Sequence, residues 1–393
     1  MDKVLPLMPS EMIFEILVHL RNDLFALKAC ALVNSTWSEI SRAYLFHSLD
    51  LNLALSKNNY DCITLLINMP AGLGEYVKRL CIKNVDWSAA RSSGMTWNIR
   101  ALRHLTPKST VLDISDSSFP DFLDLVKIVC SVRHLRSLKL RNVSWAVNTF
   151  KPADVEEMNL FAPPYLSSLH MYHTDTTPIM TWFFGHPPEL VPKATTLYFG
   201  PLYAQWNSPL MRYLCEYSST LSEFGILFAS QDQEYPYFHL SPSGSIHRCS
   251  SPARGKTKNG VDGCPCMKTS SSLRVLRFHD FLAPAANPSL CVGASPKRIG
   301  IPRVTASLME KFDGTVIFDV RVKAMSEVDC SAVNWAALEA VFAHEIYEDM
   351  KGIIFKVWTD INLVTLENFI SRKMPRVYAR NILKFEREVD FPY

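Results

Sequence analysis

The feature that most constrains this chain is a short pattern that returns along most of its length. Residues 77–83, 110–115, 134–141, 165–172, 194–199, 221–228 and 272–279 each alternate apolar and polar side chains. Period two is what a strand with one buried face requires. With Leu80, Leu112, Leu138, Leu169 and Leu197 as equivalent positions, the steps are 32, 26, 31 and 28 residues. Self-similarity near that length marks stacked supersecondary units. Between the strands, 122–132, 178–184, 210–217, 304–312 and 335–349 read as helices. Strands alternating with helices imply parallel crossover units and an α/β fold.

The Leu-x-x-Leu-x-Leu core of these segments resembles a leucine-rich repeat. Regular repeats of that kind carry Asn or Cys three positions after the last strand leucine, where Val143 and Tyr172 stand here. The expected body, residues 51–393, is therefore an irregular leucine-rich-repeat-like α/β solenoid. Its closing units lie at 335–339, 353–357 and 374–385, and a helix over 363–372 caps the apolar end. Residues 241–272, rich in Ser, Gly, Pro and basic side chains, read as a flexible insert.

Residues 1–50 read as a separate all-α module. Pro9 suits the first turn of a helix, where its missing N–H goes unused, and Glu11 complements the positive helix end. Met12, Ile13, Ile16, Leu17 and Leu20 follow at helical spacing as one apolar stripe. Asn22 or Asp23 can cap a second helix bearing Leu24, Leu27, Cys30 and Ala31. Ser35 or Thr36 can cap a third, with Trp37, Ile40, Tyr44 and Leu45 on one side. So small a unit buries little surface and leans on a partner or on the following domain.

The ordered set Pro9-x-Glu11, Ile16-Leu17, Leu20, Asp23-Leu24, Leu27, Cys30, Leu32-Val33, Trp37 and Leu45-Phe46 resembles the F-box motif. The resemblance is closest to the large F-box families of mushroom-forming fungi. The motif's opening Leu-Pro stands as Met8-Pro9 or Leu5-Pro6, and Asn34-Ser35-Thr36 replaces the basic residue before the tryptophan. The resemblance implies docking to a Skp-type adaptor and through it to a cullin. Pro9, Ile13, Leu17, Leu20 and Leu27 would be the anchors, with Trp37 holding the helices together. It implies a non-enzymatic substrate receptor of a ubiquitin ligase. A scaffold outside ubiquitination and a hydrolase with a dispersed site are the alternatives.

Composition bounds the partners. A net charge of +3 over 393 residues argues against a dedicated nucleic-acid binder. The apolar run 12–20 contains Glu15 and His19 and is shorter than the ~20 residues a membrane span needs. The opening residues lack the basic-then-apolar pattern of a signal peptide. Cys30, Cys62, Cys81, Cys130, Cys215 and Cys330 sit singly in apolar surroundings, as reduced core thiols do, so cytoplasm and/or nucleus is the expected compartment.

No cofactor or metal is expected. His344 and Glu345 open like a zinc-protease helix, but Glu348 replaces the second histidine, leaving an ordinary helix face. Gly255-Lys256-Thr257 lacks the glycine five residues earlier that a phosphate loop needs. His247, Cys249, Cys264 and Cys266 have Cys-x-Cys spacing too tight for a usual zinc site.

If Leu138 and Leu140 point inward, alternation turns Lys139 and Arg141 outward. The same rule exposes Arg79, Lys83, His170, Tyr172, Tyr198, Arg277 and His279, with Asp113 the only acid of the row. Lys83, Lys139, Arg141, His170, Tyr172, Tyr198, Arg277 and His279 are accordingly the expected substrate-binding residues. They suit a protein segment that is acidic or phosphorylated.

Overall fold

The computed structural model describes residues 8–52, 73–86, 106–200, 213–214, 216–227, 272–282, 312–320, 335–344, 347–358 and 361–388. All but the last residue of the insert expected at 241–272, all but the last of the helix expected over 304–312, and most of that over 210–217 lie outside the described residues. So do His247, Cys249, Cys264 and Cys266.

The chain opens with three helices, α1 (Ser10–His19), α2 (Leu24–Cys30) and α3 (Ser35–Leu45). The Pro9 carbonyl accepts from the N–H groups of Met12 and Ile13 at 3.1 and 3.2 Å and starts α1. Asp23 caps α2 by accepting from the N–H groups of Phe25 and Ala26 at 3.0 Å. The cap of α3 is Asn34, accepting from Trp37 N–H at 3.1 Å, and neither Ser35 nor Thr36. An extended Asn34 places its amide oxygen over the third N–H of the helix, while Ser35 and Thr36 are already inside the first turn.

Among the described residues, eleven strands follow in a single parallel sheet, hydrogen-bonded in chain order. The architecture is mixed α/β. The chain divides into two compact units, Met1–His170 with Thr181–Pro192, and Met171–Met180 with Lys193–Tyr393.

The first unit holds β1 (Ser48–Asn52), β2 (Arg79–Lys83), β3 (Val111–Asp121), α4 (Phe122–Ser131), β4 (Ser137–Val147) and α5 (Asp154–Glu157). The equivalence read from the sequence is the register. Leu49, Leu80, Leu112 and Leu138 are successive partners, as are Leu51, Ile82, Ile114 and Leu140. Apart from Leu49, these side chains are buried and form the core of the unit. Each, at ~25 cal/mol per Å² of apolar area, contributes on the order of 2 kcal/mol. Asp121 ends β3 and caps α4, accepting from Leu123 N–H at 3.0 Å.

Where the turn ladder was expected to be missing, the structure has one displaced by a residue. Asn84, Asp116 and Asn142 have φ of 56°, 49° and 52°, and His173 has 51°. Each lies two positions after an inward strand residue, Ile82, Ile114, Leu140 or Met171, and Asp116 and Asn142 fall within β3 and β4. Asn and Asp tolerate this left-handed backbone better than other residues. The Asn142 amide donates to Asp116 Oδ1, and that of Asn84 to Asn52 Oδ1, both at 3.0 Å. Polar side chains thus bridge neighbouring strands at these left-handed positions.

Strand β5 (Ser168–Tyr172) and helix α6 (Thr176–Phe184) bring the chain to the second unit. It contains β6 (Thr196–Gly200), β7 (Glu223–Leu227), β8 (Val275–Leu282), β9 (Thr315–Val320), α7 (Trp335–Phe342) and β10 (Gly352–Val357). Helices α8 (Leu363–Lys373) and α9 (Pro375–Ala379) and strand β11 (Leu383–Arg387) follow. Leu197, Phe224, Leu276, Val316 and Ile353 are register partners and buried. Beside them Phe278, Phe318, Phe355 and Phe385 stack at 5.1, 5.2 and 5.3 Å, close to the spacing of adjacent strands.

Two expectations here need correction. Strand β9 was not read from the sequence. The helix expected over 335–349 stops at Phe342, because the Arg380 guanidinium takes the carbonyls of Phe342, Tyr347 and Glu348 at 2.8, 2.7 and 2.9 Å. His344 therefore stands in a turn, not on a helix face. The helix expected over 363–372 is α8, capped by Asn362 through Val364 N–H at 2.9 Å.

Candidate functional site

Three groups of side chains carry chemistry, and the first is on the N-terminal helices. Ile13, Leu17 and Leu27 are buried together, with Leu20, Trp37, Ile40 and Tyr44 packed against them. Of the residues expected as adaptor anchors, Ile13, Leu17 and Leu27 hold the module's own core, and Leu20 and Trp37 are half-buried around it. Pro9 alone is exposed. The expected single stripe on α1 is two faces, since Met12 and Ile16 point away from that core.

A second apolar set remains in solvent. Phe25 is 85% and Leu32 87% exposed, and Met8, Met12, Phe14, Ile16, Leu24 and Val33 are exposed with them. Met12, Phe14 and Ile16 also line an open groove with Ile40. Single exposed apolar residues need no explanation, but eight within residues 8–33 make a concentrated apolar surface. The sequence reading had Met12 and Ile16 in the α1 stripe and Leu24, Leu32 and Val33 in the motif, but placed none of them among the anchors and did not single out Phe14 or Phe25.

The second group lies on the polar face of β2, β3 and β4. Cys81, Asp113 and Lys139 are register partners, as are Lys83, Ser115 and Arg141. Asp113 is buried and receives Arg79 Nη2 at 2.8 Å, and the Arg141 guanidinium lies 4.0 Å from its other oxygen. That oxygen has no hydrogen bond among the described residues. Burial, with Arg79 and Arg141 alongside, pulls the Lys139 ammonium below its ordinary range against the opposing pull of Asp113. Burial and an Asp50 hydrogen bond raise the Cys81 thiol to about 11, so it is inert as a nucleophile near neutrality. Arg79 and Arg141 thus flank one buried carboxylate, Lys139 and Lys83 stand on the same face, and Asp50 joins the row from β1. His170 is half-buried and bonded to Ser168 Oγ at 3.0 Å.

The third group corrects the expected exposed row. Tyr172 and Tyr198 are each 5% exposed and His279 1%, so all three are interior residues. His279 sets Nδ1 2.6 Å from Asp319 Oδ2 and Nε2 3.2 Å from the Tyr172 hydroxyl. Arg277 donates Nε and Nη2 to the two oxygens of Asp319 at 3.2 and 3.1 Å. The indole N–H of Trp358 donates to Oδ1 at 3.3 Å. Tyr198 donates to Glu223. Asp113 is therefore not the only acid on this side of the strands. Asp319 was overlooked because β9 was, and its charge is what allows Arg277 and His279 to be drawn inward.

Burial pushes the Asp319 carboxyl up, but bonds and charge from His279 and Arg277 outweigh it and hold the group down at about 2. Hydroxyl, imidazole and carboxylate in this order activate nucleophiles in hydrolases. Here the three are buried, and their bonds link β5, β8 and β9.

Gly225 belongs to the same group. A Cβ there would stand 1.9 Å from the Tyr198 ring, which lies across the strand. Gly225→Ala is expected to displace that ring and lower stability by about 1–3 kcal/mol. Thermal unfolding of the purified variant measures this.

Among the described residues, no group of three or more His, Cys, Asp or Glu is placed to hold a metal, and no helix is long and apolar enough to cross a membrane. No family model matches the chain, and no curated protein matches it.

Proposed function

We propose that residues 8–46 are an F-box-type module that docks on a Skp-type adaptor, making the chain a substrate receptor of a cullin-based ubiquitin ligase. The observation that carries this reading is the exposed apolar set on α1, α2 and the turn after α2, around a core that is already filled. Phe25, Leu32 and Val33 would insert into a partner groove, with Met12 and Ile16 extending the contact. Ile13, Leu17 and Leu27 keep the helices in place and do not touch the partner.

In the same proposal, the parallel body is an irregular leucine-rich-repeat-like solenoid. Its accessible substrate surface is the strip of Arg79, Lys83, Lys139 and Arg141, which suits an acidic or phosphorylated segment. Tyr172, Tyr198 and His279 are buried and form no part of that surface. The chain would act by positioning a target, raising its local concentration near the conjugating enzyme.

Affinity purification of the full chain from cells tests both halves. The adaptor and cullin are expected with the wild type and absent with Phe25→Asp/Leu32→Asp. Lys139→Glu/Arg141→Glu is expected to retain both but to lose the recruited substrates. Recovery of substrates with neither ligase subunit would replace the receptor reading by a scaffold outside ubiquitination.

A further inference from the structure

Beyond the docking face and the cationic strip, the first unit carries a cleft of about 640 Å³ between the end of α4 and the segment leading into β5. Its size falls in the range of sites for small organic ligands. Lys127, Arg133 and His134 line it, together with the exposed apolar side chains of Met158 and Tyr165 and the Cys130 thiol. No carboxylate is among its lining residues. Asp124 holds the Lys127 ammonium at 3.6 Å, whereas Arg133 and His134 have no ion pair among the described residues.

The His134 and Tyr165 rings stack with planes 15° apart and centroids 6.4 Å apart. They offer a flat π surface next to the positive charge. The wall at 160–162 is fixed from behind. Trp182 Nε1–H donates to the Leu160 carbonyl at 2.9 Å, and Ala162 N–H donates to His186 Nε2 at 2.7 Å. His186 and Trp182 are buried, so the wall is built before any ligand arrives.

From this lining we infer that the cleft binds a flat organic anion, an arene bearing a carboxylate. The ring lies against Tyr165 and Met158, and the carboxylate meets the Arg133 guanidinium in a charge-assisted pair. This site is independent of the adaptor and substrate surfaces.

Titration calorimetry of the full chain with naphthoate, and with neutral naphthamide as its isostere, tests the assignment. One site is expected, with naphthoate bound about tenfold more tightly than the amide, the value of one charge-assisted contact. Arg133→Gln should abolish that preference, and Tyr165→Ser should weaken both ligands by a similar factor. Both side chains are on the surface, so unchanged amide exchange in β3 and β4 confirms folding. Naphthoate should also slow alkylation of Cys130, read by mass spectrometry. No binding, equal affinity for the two ligands, wild-type affinity in Arg133→Gln, or unprotected Cys130 would each overturn it.

Discussion

Replacing Asp319 by alanine is expected to destabilise the second unit by about 3–5 kcal/mol, the cost of leaving buried charge unpaired. The carboxylate accepts from Arg277, His279 and Trp358 at once, and it has no exposure at all. Removing it strands two cationic or ionisable groups and an indole N–H in a region where water cannot replace the bonds. Denaturant unfolding, with hydrogen exchange in β8 and β9, gives the magnitude and the place. A joint Asp319→Leu/Arg277→Met/His279→Leu variant should recover much of the loss, because no unpaired charge remains.

The same carboxylate sets a pH dependence. Its folded value, about 2, lies below the ordinary 3.8. The stability it supplies is therefore complete above the ordinary carboxylate value and fades as pH falls from there toward 2. Wild type should lose roughly 2 kcal/mol more than Asp319→Asn across that window. Equal acid sensitivity in the two proteins would remove Asp319 as the cause.

Leu17→Asp is expected to unfold the N-terminal helices outright. Leu17 is 0% exposed, in a core whose other fully buried apolar members are Ile13 and Leu27. A leucine lost from such a site costs about 2–5 kcal/mol before the penalty for burying a carboxylate is added. A module of this size has little stability in reserve. Hydrogen exchange should show protection lost over residues 10–45 and retained in β3 and β4. Phe25→Asp, at a site open to solvent, should leave protection in those helices intact.

These two residues also show how far the sequence could be read. Some helix starts were accessible, since Pro9 and Asp23 obey local rules that act within one turn, whereas Ser35 or Thr36 was expected where Asn34 caps α3. Strand register was accessible too, because Leu80, Leu112 and Leu138 repeat the same buried position. What alternation could not supply was depth. Lys139 and Tyr198 occupy outward positions of their strands by the same rule, yet one is half-accessible and the other interior.

The difference lies in partners distant in the chain. Tyr198 has Glu223 and a glycine at 225 to lie over, and His279 has Asp319, none of them visible to a period-two pattern. On α1 the reverse occurred. A stripe counted as one face was wide enough to hold both the core side (Ile13, Leu17) and the solvent side (Met12, Ile16). The left-handed Asn84, Asp116 and Asn142 were legible in principle, as polar residues two positions after Ile82, Ile114 and Leu140. They were missed because the spacing of regular repeats was assumed.

The account rests on the exposed face of the N-terminal helices being a docking surface. Its most direct test is the dissociation constant of the purified full chain for a purified Skp-type adaptor, measured beside Phe25→Asp/Leu32→Asp. The account predicts saturable one-to-one binding by the wild type. It predicts a loss of about a hundredfold or more in the variant, as for two central anchors, with helix protection unchanged. No binding by the wild type, or equal binding by a folded variant, would contradict it.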